Sequence, residues 1–131
     1  MEEDLRARLL ADAGLTARVA TRVDWVERPK ATGLPAITLT LISRVLEWTY
    51  NGASSLVASR IQVDVWGVTA KDVITIARLL PAILFEPATQ GTTRFARAFL
   101  DLEQDGGTEE IVTGTLIYRR ILDFTLWHSP A

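Results

Sequence analysis

No cysteine occurs among these 131 residues, and histidine and methionine appear once each. Without thiols there is no disulfide framework and no thiolate metal centre, a composition that suits a reducing cytoplasm. One histidine, His128, cannot supply the clustered ligands of a zinc site unless carboxylates do the rest. A basic excess is missing too. Sixteen acidic against 14 basic residues give a net charge of −2, which argues against a free-standing nucleic-acid binder. No run of about 18 apolar residues is present, so no membrane-spanning helix is expected. The opening MEEDLRARLL starts with acids and lacks a basic region followed by an apolar one, so no signal peptide is expected. No glycine-rich phosphate loop follows a strand pattern, and the GxSxG sequence of a nucleophile elbow is absent.

What remains fits a soluble single domain, residues 1–131, large enough to close one hydrophobic core without metal or disulfide. Leu5, Leu9 and Leu10 recur at helical spacing behind Glu2, Glu3 and Asp4, and Gly14 reads as a helix stop. A short helical piece is expected over 16–22. The stretch VDWVERPKATGLP reads as a loop with a short extended piece at its start. Strands are predicted over 36–50 and 57–66, joined by a projecting loop, EWTYNGASSLVA, that includes Asn51-Gly52. Val73, Ile76, Ala77, Leu80, Ile83 and Leu84 make the apolar stripe of a helix that Pro81 either kinks or shortens to Leu80. EPATQGTT reads as a turn-rich connection. Two further strands are predicted over 94–102 and 112–127, joined by the acidic loop EQDGGTEE. The expected fold is α+β: an antiparallel four-stranded sheet with helices on one face, in the order α-β-β-α-β-β.

None of the reactive candidates carries a reaction. His128 would need a serine outside any elbow sequence, and reads as a solvated residue closing the last strand. Asp101, Glu103, Asp105, Glu109 and Glu110 fit no calcium loop, and read as a solvated hairpin tip or an acidic contact surface. The strands are more informative, because their two parities are both mixed. In SRIQVDVWGVT, Ile61, Val63 and Val65 alternate with Arg60, Gln62, Asp64 and Trp66. Arg119 shares a parity with Asp123 and Trp127, while Arg120 shares the other with Leu122 and Phe124. A sheet that places Trp66, Trp127, Phe95 or Phe99 on its less buried face, among arginine and aspartate, looks like one that meets protein. The other reading is that a bulge slips the parity and some of these aromatics are core.

Three segments in order carry a family resemblance: MEEDLRARLLADAGL running to Arg22-Val23, then RIQVDVWGVT followed by KDVITIARLL, and the closing YRRILDFTLWH. Together they resemble the tail completion family of long-tailed phages, the tail terminator or tail-to-head joining proteins, also found in phage-like gene transfer agents. The loop DLEQDGGTEE and the strand entry GLPAITL depart from the family pattern. The resemblance implies a non-enzymatic virion protein of the tail-neck region, assembled in the bacterial cytoplasm, without cofactor, metal or membrane. It further implies a homohexameric ring that caps the tail tube, ends its polymerisation and meets the head–tail connector or stopper protein. DNA would pass through the lumen without specific binding. A head-side neck protein, a stopper or head-closure component, is the alternative. Contact residues expected on this reading are Trp48, Tyr50, Asp64, Trp66, Arg119, Trp127 and the five acids from Asp101 to Glu110.

Overall fold

The computed structural model describes residues 1–27, 33–49, 52–111 and 115–131. Two short helices open the chain, α1 (Glu2–Leu10) and α2 (Ala13–Val19), followed by strand β1 (Val23–Trp25). A long hairpin, β2 (Ala36–Thr49) and β3 (Gly52–Gly67), leads into helix α3 (Ala70–Leu84). The chain ends in β4 (Ala88–Gln90), β5 (Thr93–Ile111) and β6 (Thr115–Pro130).

These strands form one six-stranded sheet in the order β1-β2-β3-β6-β5-β4, curved into a half-barrel. That corrects the expected antiparallel four-stranded sheet and its α-β-β-α-β-β order. The sheet is mixed, because β1 lies parallel to β2 with Val23 opposite Ile37. Two strands outside the expected four, β1 and β4, are three residues each; β1 coincides with the short extended piece expected at the start of VDWVERPKATGLP, whereas β4 falls in the expected turn-rich connection. Three residues are too few to display a period of two, so nothing in VDW or ATQ distinguishes an edge strand from a loop. The long strands also run further than their apolar patterns. The predicted loop at 47–58 is largely strand, with Trp48 paired to Ala53 and Leu46 to Val57. EQDGGTEE is likewise strand rather than loop: Asp105 pairs with Arg120, and Glu109 with Ile117.

Helix boundaries follow capping chemistry. Gly14 does not end a helix but sits inside α2, whose N-cap is Asp12; the aspartate accepts from the Leu15 amide at 2.9 Å. Thr69 caps α3 in the same way, accepting from Asp72 N at 3.2 Å. That helix continues through Pro81 to Leu84.

Burial separates the two faces of the sheet. On one face Ile37, Leu39, Ile61, Val63, Val65, Leu122, Phe124 and Leu126 meet Leu5, Leu9, Leu15, Val19, Val73, Ile76 and Leu80 from the helices. Phe85 adds its ring edge-on to Phe124, 6.5 Å between centroids. Arg8, itself buried, ties α1 to the end of α3 by donating to the carbonyls of Ile83, at 2.6 Å, and Glu86. Those carbonyls lie where a helix leaves its last acceptors unsatisfied, so the guanidinium replaces a missing turn. Phe95 belongs to this core, whereas Phe99 is exposed on the other face. A register shift between Phe95 and Arg97 reverses the parity between them, which is why simple alternation had grouped the two rings.

Candidate assembly surface

The face turned away from the helices is built by the second parity of each long strand. Asp64 and Trp66 come from β3, Thr38 from β2 opposite Asp64, and Arg119 from β6 opposite Trp66. These four groups are joined. Arg119 donates to Asp64 Oδ2 at 2.9 Å, and its guanidinium lies 4.9 Å from the centroid of the Trp66 ring. The indole Nε1 donates to Thr38 Oγ1 at 3.0 Å. Gln62 donates to Asp64 Oδ1 at 3.1 Å, and Asp123, four positions along β6 from Arg119, accepts from Arg60 at 3.2 Å. Asp64 and Asp123 are 5% and 8% exposed, so two carboxylates are buried on a face that no described helix covers. Buried carboxylates persist as ions only when paired and hydrogen-bonded, which these cation contacts provide.

Local sequence makes room for Arg119. A register shift lies between Asp105 and Thr108 in β5, with Gly107 at φ +83°. A Cβ on the neighbouring Gly106 would stand 2.8 Å from Arg119 Cδ and 2.9 Å from its Cγ. The Asp-Gly-Gly sequence is therefore a bulge whose first glycine admits the arginine stem and whose second takes the left-handed backbone.

The other candidates fall in separate places. Asp101 accepts from Thr125 Oγ1, while Glu103 and Asp105 both face Arg120, at 3.1 and 3.0 Å. This acidic group is thus a paired stretch of β5 rather than a hairpin tip at its start. Trp127 is half-buried on the outer parity, opposite Ala58 and Arg97 and away from the Asp64 cluster. Tyr50 lies outside the described residues. So do the side chains of Trp48, Glu109 and Glu110, whose backbones are in β2 and β5.

Alternation alone did not bring out Thr38, Gln62, Arg60 and Asp123 as partners in this network. The available signal was the pairing of opposite charges across neighbouring strands of the same parity. A second missed cluster surrounds His128. The ring is buried rather than solvated, with Nε2 2.7 Å from Ser59 Oγ. Arg44 Nε donates to the same hydroxyl at 3.1 Å, and Arg44 also pairs with Glu2. Burial pushes the His128 pKa down, and the Arg44 and amino-terminal charges push the same way. The arrangement suits a neutral imidazole that accepts from the hydroxyl. Ser59 is fully buried, so no substrate reaches its oxygen, and the Ser–His contact acts as a clamp between β3 and β6. Among the described residues, no group of three or more acids and histidines is placed to hold a metal ion. No described helix is long and apolar enough to cross a membrane.

No protein-family model matches the chain, and no curated protein matches it by sequence. Solved structures do. A chain of the virion of a native gene transfer agent particle superposes with a TM-score of 0.75 at 15% identity. The match covers 98% of this chain and 94% of the other. At that identity the likeness establishes a shared fold, from the first helix to the last strand.

Proposed function

We propose that this chain is a structural protein of a phage or gene-transfer-agent virion. The single observation behind this reading is the end-to-end likeness to a chain of a gene transfer agent virion. The chemistry of the outer face is consistent with it. Aromatic, arginine and carboxylate side chains are held together there by hydrogen bonds and a cation–ring contact.

Within the virion, the reading the sequence supports best is a tail terminator. Such a subunit closes into a ring on the tail tube, ends its polymerisation and presents a docking surface to the head connector. Heterologous association that closes into a ring requires two unlike surfaces on each subunit. The present chain has unlike sheet edges and unlike ends. A head-side neck protein is the second reading, favoured by the same fold likeness.

Deletion of the gene in the producing strain, followed by electron microscopy, tests both readings. Filled heads beside unjoined or overlong tails are the expected result. Tails of normal length beside heads that leak DNA would assign the chain to head closure. Normal, transfer-competent particles would overturn the virion reading.

A further inference from the structure

We infer that His128 is a pH-sensitive latch at the base of the projecting β2–β3 hairpin. With a neutral ring the hairpin is held against the body of the domain, and uptake of one proton lets it swing free. The inference goes beyond the virion reading and does not depend on it.

The latch sits where the sheet gives way to a two-stranded arm. Pairing of β3 with β6 ends at Val57 opposite His128, whereas β2 and β3 pair with each other on to Thr49 and Gly52. Every residue of β2 from Leu41 to Leu46 is exposed, and register shifts interrupt the strand between Leu41 and Ser43 and between Leu46 and Trp48. Apolar burial therefore does little to hold this segment down, which places it at the low-stability end of the fold. Its tie to the body is a row of side chains on the helix-facing side. Glu2 of α1 pairs with Arg44 of β2, and Arg44 Nε donates to Ser59 Oγ of β3 at 3.1 Å. The same oxygen lies 2.7 Å from His128 Nε2 of β6.

A single hydroxyl proton makes this row sensitive to charge. Ser59 Oγ accepts from Arg44, so its own proton is free for Nε2, and the row closes only while that nitrogen is unprotonated. Protonation sets a second N–H against the same oxygen. The hydroxyl proton then has no acceptor among the described residues, in a side chain that is fully buried, and an imidazolium meets a guanidinium across one atom. The surrounding groups do not offset this. From α1, the amino terminus adds a positive charge, Glu2 is already paired with Arg44, and Asp4 is engaged by Thr92 and Thr93. From β3, Ser59 and Val57 bring no charge. From β5 comes Phe95, its ring 6.4 Å from that of His128, with the Arg8 guanidinium 5.1 Å from its centroid. A cleft of about 600 Å³, lined by Met1, Arg44, Leu46, Val57, Thr93 and His128, gives the ring a path to solvent protons. The lowered pKa of His128 agrees with this geometry.

Because His128 is the only histidine, its imidazole signals in nitrogen-15 NMR are unambiguous. The neutral ring should carry its proton on Nδ1 and should titrate below 6.5. Hydrogen-exchange protection of the amides over 43–46 and 57–60 is then followed against pH. It should fall by about tenfold per pH unit from pH 6.5 down to the folded pKa and level off below it, the signature of one proton taken up on opening. At every pH it should stay below the protection of Val63 and Leu122, because the opening is local. Ser59→Ala, a small change at a buried site, should lower hairpin protection about tenfold already at neutral pH, the worth of one lost hydrogen bond. A neutral ring protonated on Nε2, or hairpin protection that does not follow the histidine titration, would overturn the inference. So would protection equal to that of the core, or a Ser59→Ala hairpin as protected as that of the natural chain.

Discussion

The two faces of the sheet bury side chains to a similar depth by different chemistry. The helix-facing side is held by area: Val63, Leu122 and Phe124 are at most 1% exposed and belong to one apolar cluster with the helices. Such contacts are non-directional, and their strength follows the surface removed from water. The outer side is held by geometry. Asp64 is nearly as buried, but its neighbours are Arg119 and Gln62 at hydrogen-bond distance. Two buried polar atoms on that side, Arg119 Nε and Asp123 Oδ1, have no hydrogen-bond partner among the described residues. A desolvated ion pair adds little net stability, while losing one member of it is costly. The comparison teaches that the first face makes the domain fold, and that the second fixes the positions of groups on an otherwise uncovered surface.

The largest expected effect breaks the first face. Phe124→Ala removes a fully buried ring at the centre of the core, together with its contact to Phe85, and should cost about 3–5 kcal/mol by urea denaturation. A smaller loss would mean that the helices close over the cavity.

On the second face the contrast lies between single and paired changes. Asp64→Ala leaves Arg119 and Gln62 without their acceptor and should cost about 1–3 kcal/mol. Replacing both members, Asp64→Leu with Arg119→Met, should recover most of that loss, because an apolar pair carries no desolvation penalty. If the double variant remains as unstable as the single, the pair contributes stability outright and the contrast between the faces is wrong.

Some of this was legible in the sequence, for identifiable reasons. The helix-facing side announces itself in Ile61-Val63-Val65 and in the stripe from Val73 to Leu84, where the periods of 2 and 3.6 are unbroken. The outer parity is legible as mixed, with Asp64, Trp66 and Arg119 on it. The edges were not legible. β1 and β4 are too short to carry a pattern, and the acids of β5 read as a loop because Gly106 and Gly107 resemble a turn rather than a bulge. Phe95 and Phe99 were grouped together because one inserted residue reverses parity without leaving any mark in composition.

The bulge itself can be tested. At Gly107 the backbone is left-handed, so Gly107→Ala should cost about 1–2 kcal/mol by denaturation. Gly106 has no positive φ, but an added Cβ there meets the Arg119 stem, which has to shift and draw the guanidinium away from its partners. The expected signature of Gly106→Ala is local: a change in Trp66 fluorescence as the guanidinium moves off the ring, with a smaller loss of stability than at Gly107. The reverse order of the two losses would show that the room for Arg119, rather than the turn, is what the glycines provide.

The smallest effect concerns His128 and depends on pH. Its pKa lies below the ordinary value of 6.5, first because of burial and then because of the positive charges of Arg44 and the amino terminus, with Glu2 opposing them. The unfolded chain therefore takes up a proton near pH 6.5 that the folded chain refuses until the pH is lower. The resulting stability is fully present above about pH 6.5 and declines as the pH falls towards the folded pKa. His128→Gln can keep a hydrogen bond to Ser59 while removing the titration, so its stability curve should be flatter just below pH 6.5 than that of the natural chain. Glu2 and Asp4 also have lowered pKa values, and as carboxylates they lose their contributions only in more acidic solution. Two separate steps in the acid unfolding curve, with only the upper one absent from the variant, would assign the upper step to the clamp between β3 and β6. An unchanged upper step would place the titrating group elsewhere and remove His128 as its source.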